Sequence, residues 1–514
     1  MKNIFFSLLT QIVCIICGFI VPKLFLSNYG SDVYGLVTSI TQFVAYITLL
    51  ESGVGLVTKS VLYKAIADKD EKKINSIVHY TQRFFNKIVY VFIIYVIILC
   101  LIYPHFKAAQ EFDSIFTISL IIIISFSAVF EYFIGITYKL YLQADQKTYV
   151  VSYIQIITYI INTILIVLLV NLKCDIRFVK FISSLTFIAR PLIQKLYIKH
   201  KLKRNFLNYD KNYRLENQKN GLSQHIAGVI NNNIDVSLLT MFTPVVNISI
   251  YSVYNLIVGQ LKTLINGFAV GTDAFFGDLY AKKNKEKLNK YFDAYETIFL
   301  IIITVIYSCC SILIVPFVGI YTSDINDANY IQKSFAFLLV LTTHISTIKS
   351  LYNSITYNAG KFKETEKGAW IEVLINIIIS VIMVKKYGLI GVLIGTLCAT
   401  IFRGLEFWLF SFKNIFEKSC LNSLKKIILS LLLNVLFYIF GYSFIESNVS
   451  SYYLWIMYAA VGFLVISLIT IVCNFIINYK EIMRTIELVK EVKKWNYVFL
   501  WIVFILSVVH KDVL

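Results

Sequence analysis

Four basic side chains lie inside text apolar enough to enter a membrane: Lys23, Arg190, Lys262 and Arg403. Two carboxylates, Glu51 and Asp235, share that kind of setting. An isolated charge at bilayer depth costs at least about 2.5–3.5 kcal/mol. Each must therefore be paired, led to an interface, or kept for a charged cargo. Arginine suits a bidentate grip on phosphate, while lysine acts as a point charge, so the four cations are candidate substrate-binding residues. Glu51 and Asp235 are candidates for proton relay or ion coupling, and each is equally able to neutralise Arg190 or Lys262.

Spacing separates these candidates. Glu406 follows Arg403 by three residues, one helical turn away, which predicts an internal ion pair. Lys262 has no acid three or four positions away, only Gln260 and Asn266 nearby. Cavity-facing contact with substrate and pairing to another helix both stay open for it. Arg190 precedes Pro191, where a kink would help shape a cavity, or the side chain reaches a partner or the interface. Lys23 and Lys349 lie near segment ends, where snorkelling is expected. Glu131 and Glu372 read as gate or interface charges, and Tyr132, Tyr138 and Tyr141 as an aromatic belt.

The elements that position these groups are helices. A span needs roughly 20 apolar residues. Blocks 4–26, 35–58, 88–106, 114–137, 149–171 and 177–198 meet that length before a basic polar stretch, Lys195 to Asn220. Beyond it come 223–243, 247–272, 296–318, 331–352, 369–384 and 388–412, then 424–446 and 452–478. The expected architecture is an all-α polytopic membrane protein of about fourteen spans. Its expected divisions are an N-lobe at 1–198, a connector at 199–222, a C-lobe at 223–412, two more helices at 413–478 and a tail at 479–514. The 58% hydrophobic and 15% charged composition of the 514 residues agrees. Runs such as Ser119 to Ser125 do not alternate as the strands of a β-barrel would.

A net charge of +18 invites a nucleic-acid reading, but its placement is topological. Lys59, Lys64, Lys69, Lys72, Lys73, Arg83 and Lys87 fill one loop, and Lys282, Lys283, Lys285, Lys287 and Lys290 another. The intervening loops are poor in cations: 243–249 has none, and 319–330 offers Asp324 and Asp327; Lys385 and Lys386 are the main exception. This positive-inside alternation places both termini in the cytoplasm. Only Lys2 precedes the first apolar block and no small-residue cleavage site comes after it, which predicts a retained helix. The nine cysteines form no disulfide framework, and the Cys14/Cys17 pair reads as small packing residues. No Walker loop, zinc motif or nucleophile elbow is present, so no cofactor is expected and an enzyme is not.

The seventh and eighth blocks repeat the first and second at an offset of about 215 residues. Both second members carry polar residues at depth: Thr38, Gln42, Glu51 and Gly53 in one, Asn255, Gln260, Lys262 and Asn266 in the other. The cytoplasmic pieces after the two pairs also match, Leu62-Tyr63…Lys72-Lys73-Ile74-Asn75 with Leu279-Tyr280…Glu286-Lys287-Leu288-Asn289. An even number of spans per array makes the repeats parallel, implying two six-helix lobes and rocking of one against the other.

The text PKLFLSNYGSDVYGLVTSITQFVAYITLLESGVG at 22–55 resembles the opening of the polysaccharide transporter (Wzx-type) flippases. IYSVYNLIVGQL at 250–261, after the helix holding Asp235, is similar to their second-half counterpart. These flippases belong to the superfamily of multidrug, oligosaccharidyl-lipid and polysaccharide exporters. The resemblance implies a MATE-like two-lobe fold in a bacterial plasma membrane. It also implies a substrate: an undecaprenyl-pyrophosphate-linked oligosaccharide, flipped from inner to outer leaflet for capsule, exopolysaccharide or O-antigen synthesis. Glycosyltransferases and a polymerase are the implied partners, with membrane lipids and without nucleic acid. A cation-coupled multidrug exporter and a lipid II flippase are the alternatives on the same fold. A membrane glycosyltransferase or polymerase would need a large external loop, and no external loop here is long. In the tail, 480–494 predicts a basic amphipathic helix on the inner leaflet, and Tyr497 to Val509 an interfacial or packed segment.

Overall fold

In lipid every backbone polar group must be satisfied within its own segment, so long apolar runs can persist only as helices. The computed structural model describes residues 2–51, 54–215, 222–446 and 449–491, and all regular structure among them is helical. The first part of the chain forms α1 (Lys2–Ala45), α2 (Ile47–Glu51), α3 (Val54–Ala67), α4 (Glu71–Ile102), α5 (Ser114–Phe130), α6 (Ile136–Ala144), α7 (Thr148–Asn171) and α8 (Ile176–Leu196). After the connector come α9 (Leu222–Phe242), α10 (Val245–Ala281), α11 (Lys285–Tyr321), α12 (Lys333–Asn358), α13 (Glu366–Tyr387) and α14 (Leu389–Ser411). The last three are α15 (Leu421–Glu446), α16 (Tyr452–Ile477) and α17 (Tyr479–Glu491).

Every expected span falls on helical text. Among the described residues, 11 helical stretches are long and apolar enough to cross a membrane. The count falls below fourteen for physical reasons. The first two spans are two helices that meet at a kink at Gly30 with no loop between them, and so form one stretch at 5–49. α8 and α9 do not reach that apolarity, and these are the helices that carry Arg190 and Asp235. The protein is a multi-pass α-helical membrane protein.

Short polar turns set the helix ends. The side chains of Asp70, Asp113, Asn284 and Ser451 accept from backbone N–H groups in the first turns of α4, α5, α11 and α16. These satisfy donors the helix leaves orphaned. Gly30 has φ 84 and ψ 169, a conformation that favours glycine and lets α1 break and continue. Gly35 has a different reason: a Cβ there would lie 2.5 Å from the Val245 carbonyl oxygen.

The helices form two compact units. Unit 1 comprises Met1–Leu256, Asp324–Ala328 and Ile377–Val392. In it α7 packs on α1 and α8, and α5 on α8. Unit 2 comprises Ile257–Ser323, Asn329–Asn376 and Leu393–Leu514. Its axis is α11, buried over most of its apolar length and contacted by α12, α15, α16 and α17.

The basic connector is folded rather than loose as far as Leu215. Ile198 and Leu215 join a core with Leu62, Ile74, Ile77, Tyr141 and Val150. Phe206 packs on Tyr141, Asn75 donates to the Asn208 carbonyl at 3.0 Å, and the Asp210 N–H donates to Ser76 at 2.8 Å. The His79 ring stacks on Tyr209 at 3.7 Å. Partial burial, with Arg83 and Lys211 nearby, holds the His79 pKa below its ordinary 6.5. The tail segment α17 is helical, as its amphipathic pattern predicts. Its Ile482 and Ile486 are buried, and the helix packs on α11 and α16. The stretch Tyr497 to Val509 lies outside the described residues.

Two outcomes are expected from this packing. Gly35→Ala must push α1 from the start of α10, lowering stability by about 1–3 kcal/mol, read as a drop in Tm of the detergent-solubilised protein. His79 has a depressed pKa, so the unfolded chain takes up the extra proton and stability falls as pH drops below 6.5. Protection factors over 205–215, taken relative to the intrinsic exchange rate at each pH, should therefore fall between pH 6.5 and pH 5, and should not do so in His79→Phe.

Candidate functional site

Each embedded charge has a definite partner, and the partners fall into two kinds. In unit 2, Arg403 is 2% exposed and lies between two carboxylates. Its guanidinium donates to Glu406, sits 3.6 Å from a Glu372 oxygen, and donates to the Thr365 carbonyl at 2.8 Å. The Phe407 ring covers it at 4.0 Å. The internal pair expected from the three-residue spacing is present.

Lys349 does not snorkel. Its ammonium donates to Glu372 at 2.6 Å, with both side chains largely buried, because Glu372 on α13 faces α12 and not an interface. Lys262, on α10, is half-buried and donates to the Ser346 hydroxyl at 2.9 Å. It feels the charges of Lys349 and Glu372, but among the described residues no carboxylate pairs with it. Unit 2 thus gathers three cations, Lys262, Lys349 and Arg403, around two carboxylates, Glu372 and Glu406. One positive charge is left over, on Lys262.

Unit 1 repeats the contrast. Lys23 is neutralised by Asp324, which also accepts from Ser27 at 2.9 Å. The hydrogen bond from Lys23 holds the Asp324 carboxyl below its ordinary value. Asp327 accepts from the Ser31 hydroxyl at 2.6 Å and its N–H at 2.7 Å, just past the α1 break. Arg190 instead donates to the Thr158 hydroxyl at 2.6 Å and lies 4.4 Å from both the Tyr159 and Phe187 rings. Its buried Nη2 has no hydrogen-bond partner, and no carboxylate pairs with it among the described residues. Pro191, the next residue, lies against Gly135, where a Cβ would come within 2.6 Å.

Neither relay candidate neutralises these two cations. Glu51 accepts from the Tyr132 hydroxyl at 2.9 Å, and Asp235 from the Tyr251 hydroxyl at 3.0 Å. Tyr132 therefore spends its hydroxyl on a half-buried carboxylate, beyond the belt role expected of it. Two features escaped sequence reasoning. Lys180 of α8 lies over the Phe25 ring at 4.7 Å, one turn into a helix where snorkelling is the default expectation. Glu296 is 1% exposed and bonds Lys426 at 2.9 Å, with Tyr352 and Ser423 donating to its other oxygen at 2.6 and 2.5 Å. Glu481 of α17 reaches the same ammonium at 2.6 Å. Only the polar spacing of Ser423, Lys426 and Ser430 along α15 signalled that buried seam. Among the described residues no group of three or more His, Cys, Asp or Glu side chains is placed to hold a metal.

Comparison with solved structures places this geometry. A structure described as lipid II flippase MurJ in an inward closed conformation superposes with a TM-score of 0.66 at 17% identity, covering 92% of this chain and 99% of the other. The chain has the fold of that transporter. An inward-facing multidrug resistance MATE family transporter of the MOP superfamily gives 0.54 at 14% identity, over 77% of this chain and 94% of the other. A MATE protein in the bent conformation gives 0.53 at 13%, over 80% and 94%. No protein-family model and no curated protein sequence matches the chain.

The two kinds of partner predict opposite responses to charge removal. Arg403→Met strands Glu406, while Glu372 keeps Lys349, and should cost about 3–5 kcal/mol. Lys262→Met and Arg190→Met strand no carboxylate, so the Tm of either variant should stay level or rise. A large loss of Tm in Lys262→Met would reveal a counter-ion.

Proposed function

We propose that the protein is a flippase for a polyprenyl-pyrophosphate-linked oligosaccharide, moved from the inner to the outer leaflet by alternating access, and that it is not an enzyme. The observation that carries this reading is the uncompensated Lys262 ammonium, held by a hydroxyl next to a balanced array of Lys349, Glu372, Arg403 and Glu406. A cation kept at depth without a counter-ion lowers stability, and a pyrophosphate would supply the missing charge. Arg190 offers a second such cation, with a buried guanidinium nitrogen that lacks a hydrogen-bond partner, flanked by the Tyr159 and Phe187 rings. Lys23 and Arg403 already have carboxylates, which leaves them the supporting part of fixing local geometry.

Glu51 and Asp235 are the coupling candidates, each poised on a tyrosine hydroxyl that would donate to the ionised carboxylate and can turn away from the protonated one. The likeness to a lipid II flippase over 92% of the chain supports a lipid-linked glycan as cargo, with capsule, exopolysaccharide or O-antigen assembly as its destination. Lipid II itself is the second reading, since it carries the same pyrophosphate. A multidrug exporter for organic cations would want surplus carboxylate, and the surplus here is positive. The charge alternation of the loops supports cytoplasmic termini in a bacterial plasma membrane.

Deletion in the parent cell should stop surface polysaccharide and leave lipid-linked repeat units on the cytoplasmic face. Lys262→Glu should lower translocation by about tenfold or more at normal protein level, and Lys262→Arg should keep most of it. Full-rate translocation by Lys262→Glu removes that residue as a phosphate ligand. Drug sensitivity with normal polysaccharide would move the reading to a multidrug exporter.

A further inference from the structure

We propose that a furrow where α1, α7 and α8 meet, within unit 1, binds an acyl chain of an anionic phospholipid from the inner leaflet. The furrow encloses about 600 Å³, inside the range that holds small apolar ligands, about 300–1,000 Å³. Phe6 of α1, Tyr153 and Ile157 of α7 and Ile193 of α8 form its walls. Tyr153 and Ile193 are 52% and 41% exposed, so this wall is open to the surroundings. From Val150 to Ile157 the furrow is about 10 Å long at helical rise. That fits inside one leaflet of a hydrocarbon core about 30 Å thick. A single acyl chain fills such a length, whereas a polyprenyl tail overruns it several times.

The mouth selects the headgroup. Lys2, Tyr149 and Tyr197 line it. Lys2 is held there by its neighbour. The Asn3 side chain donates to the Gln146 carbonyl and accepts from the Tyr149 N–H, both at 2.9 Å, which pins the start of α1 to the turn before α7. Among the described residues no carboxylate lines the furrow. Asp145, close by, is neutralised by Lys147 at 2.5 Å. The mouth lies at the helix ends that the loop charges assign to the cytoplasm, where anionic lipid is concentrated. An apolar slot with a cationic, hydroxyl-bearing rim is complementary to an acyl chain bearing a phosphate. Bulk lipid of zwitterionic charge gains nothing from that rim.

The test uses the full-length chain carrying Tyr153→Trp in phosphatidylcholine vesicles. Brominated acyl chains are supplied at equal mole fraction on either phosphatidylglycerol or phosphatidylcholine, and quenching beyond that of the parent protein is read. The brominated phosphatidylglycerol should quench the added tryptophan more strongly, and Lys2→Gln should reduce that preference about fivefold. Equal quenching by the two lipids would overturn the proposal. Relief of quenching by equimolar undecaprenyl phosphate would also overturn it, by assigning the furrow to a polyprenyl chain. If Tyr153→Trp does not insert, intact-mass measurement on parent and Lys2→Gln proteins released from mixed-lipid nanodiscs decides the same question. Phosphatidylglycerol kept by the parent and lost from Lys2→Gln supports the site; equal retention by both refutes it.

Discussion

Charge in a low-dielectric interior is the constraint on which this molecule depends. The hydrocarbon core offers neither water nor salt, so an ionised side chain keeps its full desolvation cost until a partner offsets it. Arg403, Lys349 and Lys426 meet the constraint with carboxylates on neighbouring helices, which ties α12, α13, α14 and α15 into unit 2. Lys262 and Arg190 meet it only with hydroxyls and rings.

The remaining polar groups obey the same rule at smaller cost. Hydroxyls pair across helices, as Ser39 does with Thr240 at 2.5 Å and Thr304 with Ser430 at 2.5 Å. Others turn back on their own helix, as Thr240 does to the Val236 carbonyl at 2.7 Å. These bonds fix helix register where apolar packing alone would be permissive. Carboxylates near helix ends do similar work: Asp324 and Asp327 fasten the turn after α11 to the break in α1 through Lys23, Ser27 and Ser31.

Much of the architecture was legible because helices in lipid are dictated locally. Length and apolarity located the spans, and the fourteen expected segments fall on helices. Arg403 and Glu406 were legible for the same reason, since three residues on a helix make neighbours. Lys349 with Glu372 was not, because residues 23 apart in sequence meet through the packing of α12 against α13. The tail shows a similar limit. Its amphipathic pattern fixed a helix with one apolar face, but not that Ile482 and Ile486 on that face would pack on α11 and α16.

By itself the sequence determined a helical, multi-pass membrane protein, its loop charges, and which side chains carry charge into apolar text. Those properties depend on residues adjacent along the chain or one turn apart. Tertiary structure decided which of those charges are neutralised from another helix. Arg190 and Lys349 look alike in sequence, each a cation with no acid one turn away, yet one meets Thr158 and the other Glu372. Pairing is a property of which helix faces which, and no local pattern encodes that.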